Sequence, residues 1–460
     1  MVIQKFGGTS VGTPEGINKV IEIVTKSKKE VGGVVVSAFD GVTDRLVEMA
    51  TLAGQGNRSF LKLYKEMSDR HIESAEKLLH SQERRQNTLQ TIKQILSDLQ
   101  SILQGVFLVK EASPKTLDAV MSFGERMAAF IVAQAFIDRG VQAQFVDARN
   151  IMRTNNVYNN AKVDFPVTNE NIREFYASHR DGIKIITGFI GSTDRDETTT
   201  LGRGGSDYTA SIFGAAVGAE GVEIWTDVDG VKTADSKKVP NAFSINRITH
   251  EEAMEMSHFG AKVIYPSTMV PAMERDIPLV IRNTFNPEFE GTMICRSSSD
   301  QYPIKGISSI SDVVLLLVEG SGMVGVPGTA MRLFSALARH TINVILITQA
   351  SSEHTICLGI IPHQIDTARA AIEEEFNQEI KEKLIEPVIV EQDLSVVAVV
   401  GENMRKTSGI AGTLFSALGN SNINVIAIAQ GSSERNISVV VARKDEVKAL
   451  QVMHKAFFGR

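Results

Sequence analysis

Residues 1–11 read MVIQKFGGTSV, a pattern typical of a β-strand that ends in a glycine turn and leads into a helix. The first six residues are mostly apolar, as in a buried strand. Gly7 and Gly8 allow backbone N–H groups to approach an anion closely. Lys5 stands just before this turn and adds a positive charge. The stretch therefore predicts a strand–turn–helix unit that handles the phosphate groups of a nucleotide.

The helix after this turn is expected to begin at Pro14 and Glu15, with Thr9 or Ser10 as its capping residue. The turn is not a Walker A loop, because no G-x-x-x-x-G-K-[ST] string occurs in the chain. An ordinary strand–turn–helix connection with an incidental lysine explains the same letters. The phosphate interpretation therefore depends on the rest of the chain.

Length and composition narrow the class of protein. A chain of 460 residues is too long for one hydrophobic core and predicts about three domains. With 43% hydrophobic residues, 22% charged residues and a net charge of -6, the composition is typical of a soluble globular protein without affinity for nucleic acid or anionic membranes. The longest aliphatic run near the middle, 313–318, is far too short to span a membrane, and no secretory signal is visible.

The chain has two cysteines, Cys295 and Cys357, which cannot form a disulfide framework or a zinc site on their own. A reducing cytoplasm is the expected compartment.

Strand-like runs at 33–37, 183–189 and 222–226 alternate with helical stretches, which predicts an α/β core with a largely parallel sheet. Ligands of such sheets bind beyond the carboxyl ends of the strands, so the loops that follow these runs are candidate sites. Between about 61 and 109 the pattern is helical and polar, with apolar residues at three- and four-residue spacing. We interpret this region as helices that serve packing.

The chain repeats itself after about residue 302. Residues 333–356 align with 414–437 at a constant offset of 81, and 15 of the 24 positions are identical. Each copy has the pattern of strand, glycine-containing loop, helix, strand, turn and strand. Two related α/β modules are therefore expected, and a tandem pair of this kind favours ligand sites between modules.

Gly320, Gly322 and Gly325 spell G-x-G-x-x-G between a strand and a helix, which resembles a dinucleotide-binding fingerprint. The unit is short, residues 401–412 of the second copy do not spell the motif, and no acidic residue follows at the required distance. We interpret these glycines as residues that turn the chain tightly or let backbone amides approach a small ligand.

Four further stretches have the placement of a site at strand or helix ends: SAFDGVT (37–43), MSFGER (121–126), LGRGGSD (201–207) and WTDVDG (225–230). Each alone has a structural explanation as a cap, a turn or a helix start. In the second stretch Glu125 is expected near the N-terminus of a helix, where it could receive an ammonium group.

Together these stretches fit phosphoryl transfer to the carboxylate of an amino acid. A carboxylate is already ionised at neutral pH, so the reaction needs no general base. It needs positive charge, magnesium and in-line positioning. Lys5 and Lys262 can supply the charge, while Asp207 and Asp227 can position donors or a hydrated metal.

The substrate would be held by its other polar groups. Arg203 offers the flat, two-pronged contact that suits an α-carboxylate, and Glu125 can pair with an α-ammonium group.

The chain resembles the aspartate kinases of the amino-acid kinase family across essentially its whole length. The resemblance is carried by five motifs in a fixed order, followed by the paired modules: KFGGTSV, SFGE, LGRGGSDYTA, EIWTDVDGV and FGAKV. The resemblance implies ATP-dependent conversion of L-aspartate to 4-phospho-L-aspartate, the entry step to lysine, threonine and methionine, with Mg²⁺ accompanying ATP. It also implies an α/β, three-layer kinase domain with a central, mostly parallel sheet at 1–300. Two ferredoxin-like ACT modules follow at 301–391 and 392–460, with strand exchange between them as an option.

The resemblance assigns roles to individual residues. Lys5, Asp207 and Lys262 are implied as catalytic, and no residue is assigned as a metal ligand. The implied ATP contacts are Lys5, Gly7, Gly8, Ser10, Thr226, Asp227, Lys232, Lys237 and Lys262. The implied aspartate contacts are Ser37, Thr43, Glu125, Arg203, Ser206 and Asp207.

The chain departs from the family pattern at three positions. Lys232 replaces a usual tyrosine, Lys237 replaces the arginine of a D-P-R word, and Tyr265 replaces a usual histidine. These departures leave Lys262 unaffected but weaken the transfer of the nucleotide contacts.

The C-terminal pair is similar to the ACT modules of one branch of the family, represented by the kinase half of aspartate kinase–homoserine dehydrogenase. The resemblance implies that the chain is either a monofunctional enzyme of that branch or a fragment of a bifunctional one. Gln349 and Gln430 lie where that branch contacts an amino-acid effector, here threonine or lysine. The resemblance also implies a homodimer or larger homo-oligomer. Three alternatives remain: a kinase for another amino acid such as glutamate, a catalytically silent amino-acid sensor, and modules that only mediate dimerisation.

Overall fold

The computed structural model of the protein describes residues 1–258, 265–297, 302–349, 354–431 and 433–459. Within these residues the chain forms two compact units. The first comprises 1–231, 244–253 and 265–297, and the second comprises 232–243, 254–258 and the described residues from 302 onward. The predicted domain boundary at 300 lies outside the described residues, and it stays a prediction.

The strands of the first unit are β1 (Val2–Phe6), β2 (Val31–Val36), β3 (Ala143–Val146), β4 (Ile183–Thr187), β5 (Ile190–Ser192), β6 (Thr198–Thr200), β7 (Gly221–Thr226), β8 (Arg247–Thr249), β9 (Leu279–Asn283) and β10 (Thr292–Cys295). Those of the second unit are β11 (Gly306–Glu319), β12 (Leu346–Gln349), β13 (Thr355–Ile360), β14 (Ile389–Val400), β15 (Ala427–Ala429) and β16 (Asn436–Ala442).

The helices, in chain order, are α1 (Gly8–Val11), α2 (Pro14–Thr25), α3 (Val42–Gly54), α4 (Phe60–Leu78), α5 (Gln82–Val109), α6 (Pro114–Asp138), α7 (Phe165–Ser178), α8 (Gly205–Val217), α9 (His250–His258), α10 (Pro266–Glu274), α11 (Thr329–Arg339), α12 (Ile365–Glu375), α13 (Asn377–Lys381), α14 (Ile410–Gly419) and α15 (Glu446–Phe458). The helix predicted after the glycine turn begins at Pro14, as expected. Its cap is Thr13, whose side chain accepts a hydrogen bond from the Gly16 N–H, because Thr9 and Ser10 belong to the short helix α1.

The main sheet of the first unit has the strand order β3-β4-β2-β1-β7-β9-β10-β8. β1 lies inside it, parallel to β2 on one side and to β7 on the other, and only the β9–β10 pair is antiparallel. This arrangement confirms the predicted mostly parallel sheet. The carboxyl ends of β1, β2 and β4 meet at one edge, so the loops that follow them can share a site.

Helices α4 and α5 form the predicted helical region, and they pack with α3 and α6 around one apolar core. Helix α6 is long and apolar enough to cross a membrane by length and composition alone. Its most apolar window is 78% buried inside the protein, as in the core helix of a globular unit.

The second unit contains a six-stranded antiparallel sheet in the order β12-β13-β11-β14-β16-β15. Each sequence repeat forms one β-α-β-β-α module, and the two modules join where β11 pairs with β14. Both of these strands are long: the first half of β11 pairs with the second half of β14, and the first half of β14 pairs with the second half of β11. Each module therefore receives one strand segment from the other.

The glycine motif in the first module serves packing. A side chain at Gly320 would place a Cβ atom 2.2 Å from the carbonyl oxygen of Leu384, so only glycine fits there. This close approach of two backbone segments differs from the tight turn or ligand contact predicted for the motif, whereas Gly325, with a φ of 69°, does take the left-handed conformation of a turn.

Residues 232–243 are built into the second module's core, where Ala234 and Val239 pack with residues of α14 and α15. Lys238 forms an ion pair with Glu446, which also accepts hydrogen bonds from three serine hydroxyls. Burial acts to raise the pKa of Glu446, but these donors outweigh it and lower the pKa to about 2. The segment that carries Lys232 and Lys237 is therefore held by a partly buried charge network.

Candidate active site

A cavity of about 340 Å³ opens in the first unit where the loops after β1, β2 and β4 meet the start of α8. Its wall contains all six residues predicted to hold aspartate, namely Ser37, Thr43, Glu125, Arg203, Ser206 and Asp207. Lys5 and Gly8 of the phosphate motif line the same cavity. The structure thus brings together residues from four separate stretches of the sequence.

Lys5 and Asp207 form an ion pair in this cavity, with 2.7 Å between the ammonium Nζ and the carboxylate Oδ1. Lys5 is the penultimate residue of strand β1, and Asp207 lies in the first turn of α8. Both side chains are only 12% exposed, so the low local dielectric strengthens their attraction. The carboxylate therefore fixes the direction in which the lysine charge points.

Glu125 forms the buried floor of the cavity and is 3% exposed. One carboxylate oxygen accepts a hydrogen bond of 3.2 Å from the Ala38 N–H, and the other has no hydrogen-bond partner among the described residues. Burial raises the pKa of Glu125 to about 8, although the Ala38 N–H and the charge of Lys5 act to lower it. A buried carboxyl with free acceptor capacity suits a cationic ligand group.

The expected position of Glu125 near a helix N-terminus is wrong. It lies in the middle of α6, which begins at Pro114, because the apolar periodicity of this helix extends well before the SFGE word. The residue reaches the cavity because α6 runs through the core beneath the loop that follows β2.

The glycine loop before α8 takes a shape that requires glycine. Gly204 has a φ of 75°, and a Cβ atom there would lie 2.9 Å from side-chain atoms of Tyr265 and Thr268. A left-handed residue at this point turns the chain sharply into α8. Arg203, next to this turn, is exposed and lines the cavity.

Phe189 is a cavity residue that our sequence reasoning did not single out. It has a φ of 69°, which is strained for a bulky side chain. Its N–H donates to Thr209 and its carbonyl accepts from Leu201, so its backbone ties β4 to the glycine loop. In the sequence Phe189 is marked only by its position after Gly188, at the end of the strand predicted over 183–189.

Asp118 supports the same loop and was also missed. This fully buried carboxylate accepts hydrogen bonds from the Asn159 N–H and from both the N–H and the hydroxyl of Thr200, two residues before Gly202. Burial raises its pKa, and these donors act to lower it. No local motif marks it, because it reads as one polar residue in the first turns of a helix.

The other ATP contacts predicted within the described part of the first unit do not line the 340 Å³ cavity. Gly7 donates its N–H to the carbonyl of Trp225, which joins the turn after β1 to the end of β7. The Ser10 hydroxyl is buried and shares a hydrogen bond of 2.7 Å with Thr284. The Thr226 hydroxyl donates to the carboxylate of Asp227.

Four more residues predicted to bind ATP or the effector lie in the second unit. Lys232 and Lys237 belong to the second unit. Gln349 and Gln430 are exposed at equivalent places, where β12 ends and just after β15. Lys262 lies outside the described residues.

The described residues contain no cluster of three or more histidine, cysteine, aspartate or glutamate side chains that could hold a metal ion. Mg²⁺ commonly takes only one or two protein carboxylates and completes its shell with substrate phosphates and water. The single carboxylate of Asp207 beside Lys5 fits Mg²⁺ that arrives with a nucleotide, and it does not fit a metal held by the protein alone.

The chain matches two family models: the amino acid kinase family over residues 1–283, and the ACT domain over 316–376 and 397–457. It is 37% identical over 463 residues to bifunctional aspartokinase/homoserine dehydrogenase 2 of Arabidopsis thaliana, covering 99% of this chain and 50% of that protein. The chain thus spans about half the length of the bifunctional relatives it matches.

A second relative is matched over nearly its full length. Lysine-sensitive aspartokinase 3 of Escherichia coli is 33% identical over 100% of this chain and 99% of its own. The crystal structure of E. coli aspartokinase III in complex with aspartate and ADP matches with a TM-score of 0.85 at 31% identity, covering all of both chains.

Proposed function

Because this chain belongs to the amino acid kinase family, we propose that it is an aspartate kinase that transfers the γ-phosphoryl group of ATP to the side-chain carboxylate of L-aspartate. The observation that carries the proposal is the joint presence of Lys5, Asp207, Glu125 and Arg203 around one cavity. The aspartate and ADP bound to the E. coli enzyme support the same substrates.

The charges of this cavity match those of an amino acid with two carboxylates. Glu125 at the floor pairs with the α-ammonium group, and Arg203 at the wall receives the α-carboxylate. The hydroxyls of Ser37, Thr43 and Ser206 donate to the remaining carboxylate. With both ends of the amino acid held, the side-chain carboxylate faces Lys5.

The transfer itself requires positioning and charge. An oxygen of the ionised side-chain carboxylate attacks the γ-phosphorus, the bond to the β–γ bridging oxygen breaks, and ADP leaves with that electron pair. No proton has to be removed from the attacking group. Lys5 stabilises the negative charge of the transferring phosphoryl group, and Asp207 orients the lysine. Mg²⁺ bound to the nucleotide would neutralise further charge on the phosphates.

The remaining nucleotide contacts stay predictions from the resemblance. They comprise Gly7, Gly8, Ser10, Thr226, Asp227, Lys232, Lys237 and Lys262. The cytoplasmic location and the homo-oligomer likewise stay predictions.

An ATP-dependent hydroxamate assay tests the proposal. Hydroxylamine traps an acyl phosphate, so we expect hydroxamate to form with ATP, Mg²⁺ and L-aspartate, and to stay at background with L-glutamate. Product with glutamate but not with aspartate would favour the other amino-acid kinase. Background signal with both amino acids, while either still binds in calorimetry, would favour a silent sensor.

We further propose that the second unit binds lysine or threonine and thereby lowers the kinase activity. The lysine sensitivity in the name of the E. coli relative supports an effector of this class. Inhibition requires the effector to bind a low-activity state of the enzyme more tightly than the active state.

We expect one of these amino acids to give calorimetric heat and to inhibit the wild-type enzyme. Gln349→Ala or Gln430→Ala should weaken both effects about fivefold, as loss of a neutral hydrogen bond of roughly 1 kcal/mol implies. Gln378→Ala, on the separate helix α13, is the matched control and should change neither. No heat and no inhibition with either amino acid would leave the modules a purely structural role.

A further inference from the structure

Arg70, on helix α4, joins the loop after β2, which lines the cavity, to the end of α1, the short helix that begins at the cavity residue Gly8. Its Nη1 donates a hydrogen bond of 2.7 Å to the carbonyl of Asp40, in the loop after β2. Its Nη2 donates one of 2.9 Å to the carbonyl of Gly12, directly after α1. Carbonyls at a helix C-terminus have no partner within the helix, so the guanidinium satisfies one of them.

The loop after β2 also packs closely against Gly8, at the opposite end of α1 from Gly12. The Asp40 N–H donates to the carbonyl of Gly8, and a Cβ atom on Gly8 would lie 2.8 Å from the carbonyl of Ala38. Gly8 and Asp40 both line the cavity. A shift of the loop after β2 against α1 would therefore move the residues that hold aspartate relative to the turn after β1 that holds phosphate.

The guanidinium is seated on an aromatic pair. Its carbon lies 5.7 Å from the ring centre of Phe39, and Phe39 in turn stacks on His71 at 4.7 Å with nearly parallel rings. His71 is fully buried, and burial lowers its pKa to about 4, so this ring is neutral at pH 7. The stack fixes Arg70 from one side without adding a competing charge.

We propose that Arg70 is a positioning residue. It sets the separation between the turn after β1, which holds phosphate, and the loop after β2, which holds aspartate. The attacking carboxylate and the γ-phosphorus thereby come into line. This inference rests on the proposed kinase function and adds a residue to it. A guanidinium is suited to the role because its planar fork presents two donors to two carbonyls at once. An ammonium group at the end of a lysine can reach one carbonyl while leaving the other unbonded.

Steady-state kinetics of three variants test this role. We expect Arg70→Ala to lower kcat about 10²-fold, the effect expected for a misplacement of about 1 Å, while KM for aspartate and ATP changes less than about threefold. Arg70→Lys should fall between that variant and wild type. The matched control is Arg45→Ala, because the Arg45 side chain on α3 forms an exposed ion pair with Glu66 of α4. Its hydrogen bond to the loop after β2 runs from its backbone N–H to the Gly41 carbonyl, and alanine keeps that bond. This variant should keep kcat within about twofold, as expected for an exposed pair.

Chemical rescue separates positioning from general stability. Added ethylguanidinium should restore part of kcat to Arg70→Ala, whereas sodium chloride at the same ionic strength should not. Thermal unfolding is followed for each variant, and if Arg70→Ala fails to fold, the kcat of folded Arg70→Lys decides the question.

Equal kcat for the Arg70 and Arg45 variants would overturn the inference, as would a loss confined to KM. Absence of aspartate-dependent turnover in the wild type would instead overturn the proposed function itself.

Discussion

Replacing Lys5 with alanine is expected to lower kcat about 10³-fold, because the variant loses a preorganised positive charge at the transferring phosphoryl group. The ion pair with Asp207 holds this charge in place before the nucleotide arrives. The effect should appear in kcat more than in the KM for aspartate, since the lysine acts on charge that develops during transfer. Steady-state hydroxamate formation at saturating ATP and aspartate measures it.

Two variants serve as controls for this result. Lys5→Arg keeps the charge but changes its shape, so it should recover only part of the activity. Lys26→Ala removes an exposed lysine that pairs with Glu22 on α2, and it should leave kcat near the wild-type value. Unchanged turnover in Lys5→Ala would show that the mechanism is wrong even if aspartate is the substrate.

Glu125→Gln is expected to raise the KM for aspartate about 10²-fold at pH 8, because a neutral amide cannot form a buried ion pair with the α-ammonium group. The wild-type KM should itself depend on pH. Burial raises the pKa of Glu125 in the free enzyme to about 8, and only the ionised carboxylate pairs with the ammonium. The KM should therefore rise by up to about tenfold for each pH unit below 8, and the profile of Glu125→Gln should be flat between pH 6 and 8.

The raised pKa of Glu125 also predicts how the free energy of unfolding depends on pH. Its pKa in the folded protein lies above the ordinary value of 4.5, so the unfolded chain releases this proton at lower pH than the folded chain. Its contribution to the free energy of unfolding is therefore most favourable below pH 4.5 and is lost as the pH rises to about 8. Glu125→Gln should remove that loss, which urea unfolding at pH 6 and 8 can measure. Equal pH dependence in both proteins would contradict the raised pKa.

Much of the fold follows from local patterns in the sequence. Strand-like apolar runs that alternate with helical stretches predict the mostly parallel sheet, and the structure confirms it. The two modules were predicted from a repeat with constant offset, and each copy forms the same β-α-β-β-α unit. These features could be predicted because strand periodicity, glycine turns and repeats depend on neighbouring residues.

The roles of several side chains could not be derived in this way. The sequence analysis predicts Glu125 near a helix start, although Ser113 as a cap and Pro114 at the first helical position mark the true start of α6. Arg70 was grouped with packing helices, since nothing near it in the sequence shows that its donors reach Asp40 and Gly12. Lys232 and Lys237 lie in a segment whose core contacts belong to the second unit.

The sequence by itself determined which residue types are available for phosphate, carboxylate and ammonium groups, and the order of strands and turns that carries them. Only the tertiary structure decided that Lys5 pairs with Asp207, that Glu125 is buried deeply enough to shift its pKa, and that Arg70 bridges two loops. The physical reason is the range of the interactions. Backbone preferences act between neighbours, whereas burial and charge pairing depend on segments that are distant in the chain and meet only after folding.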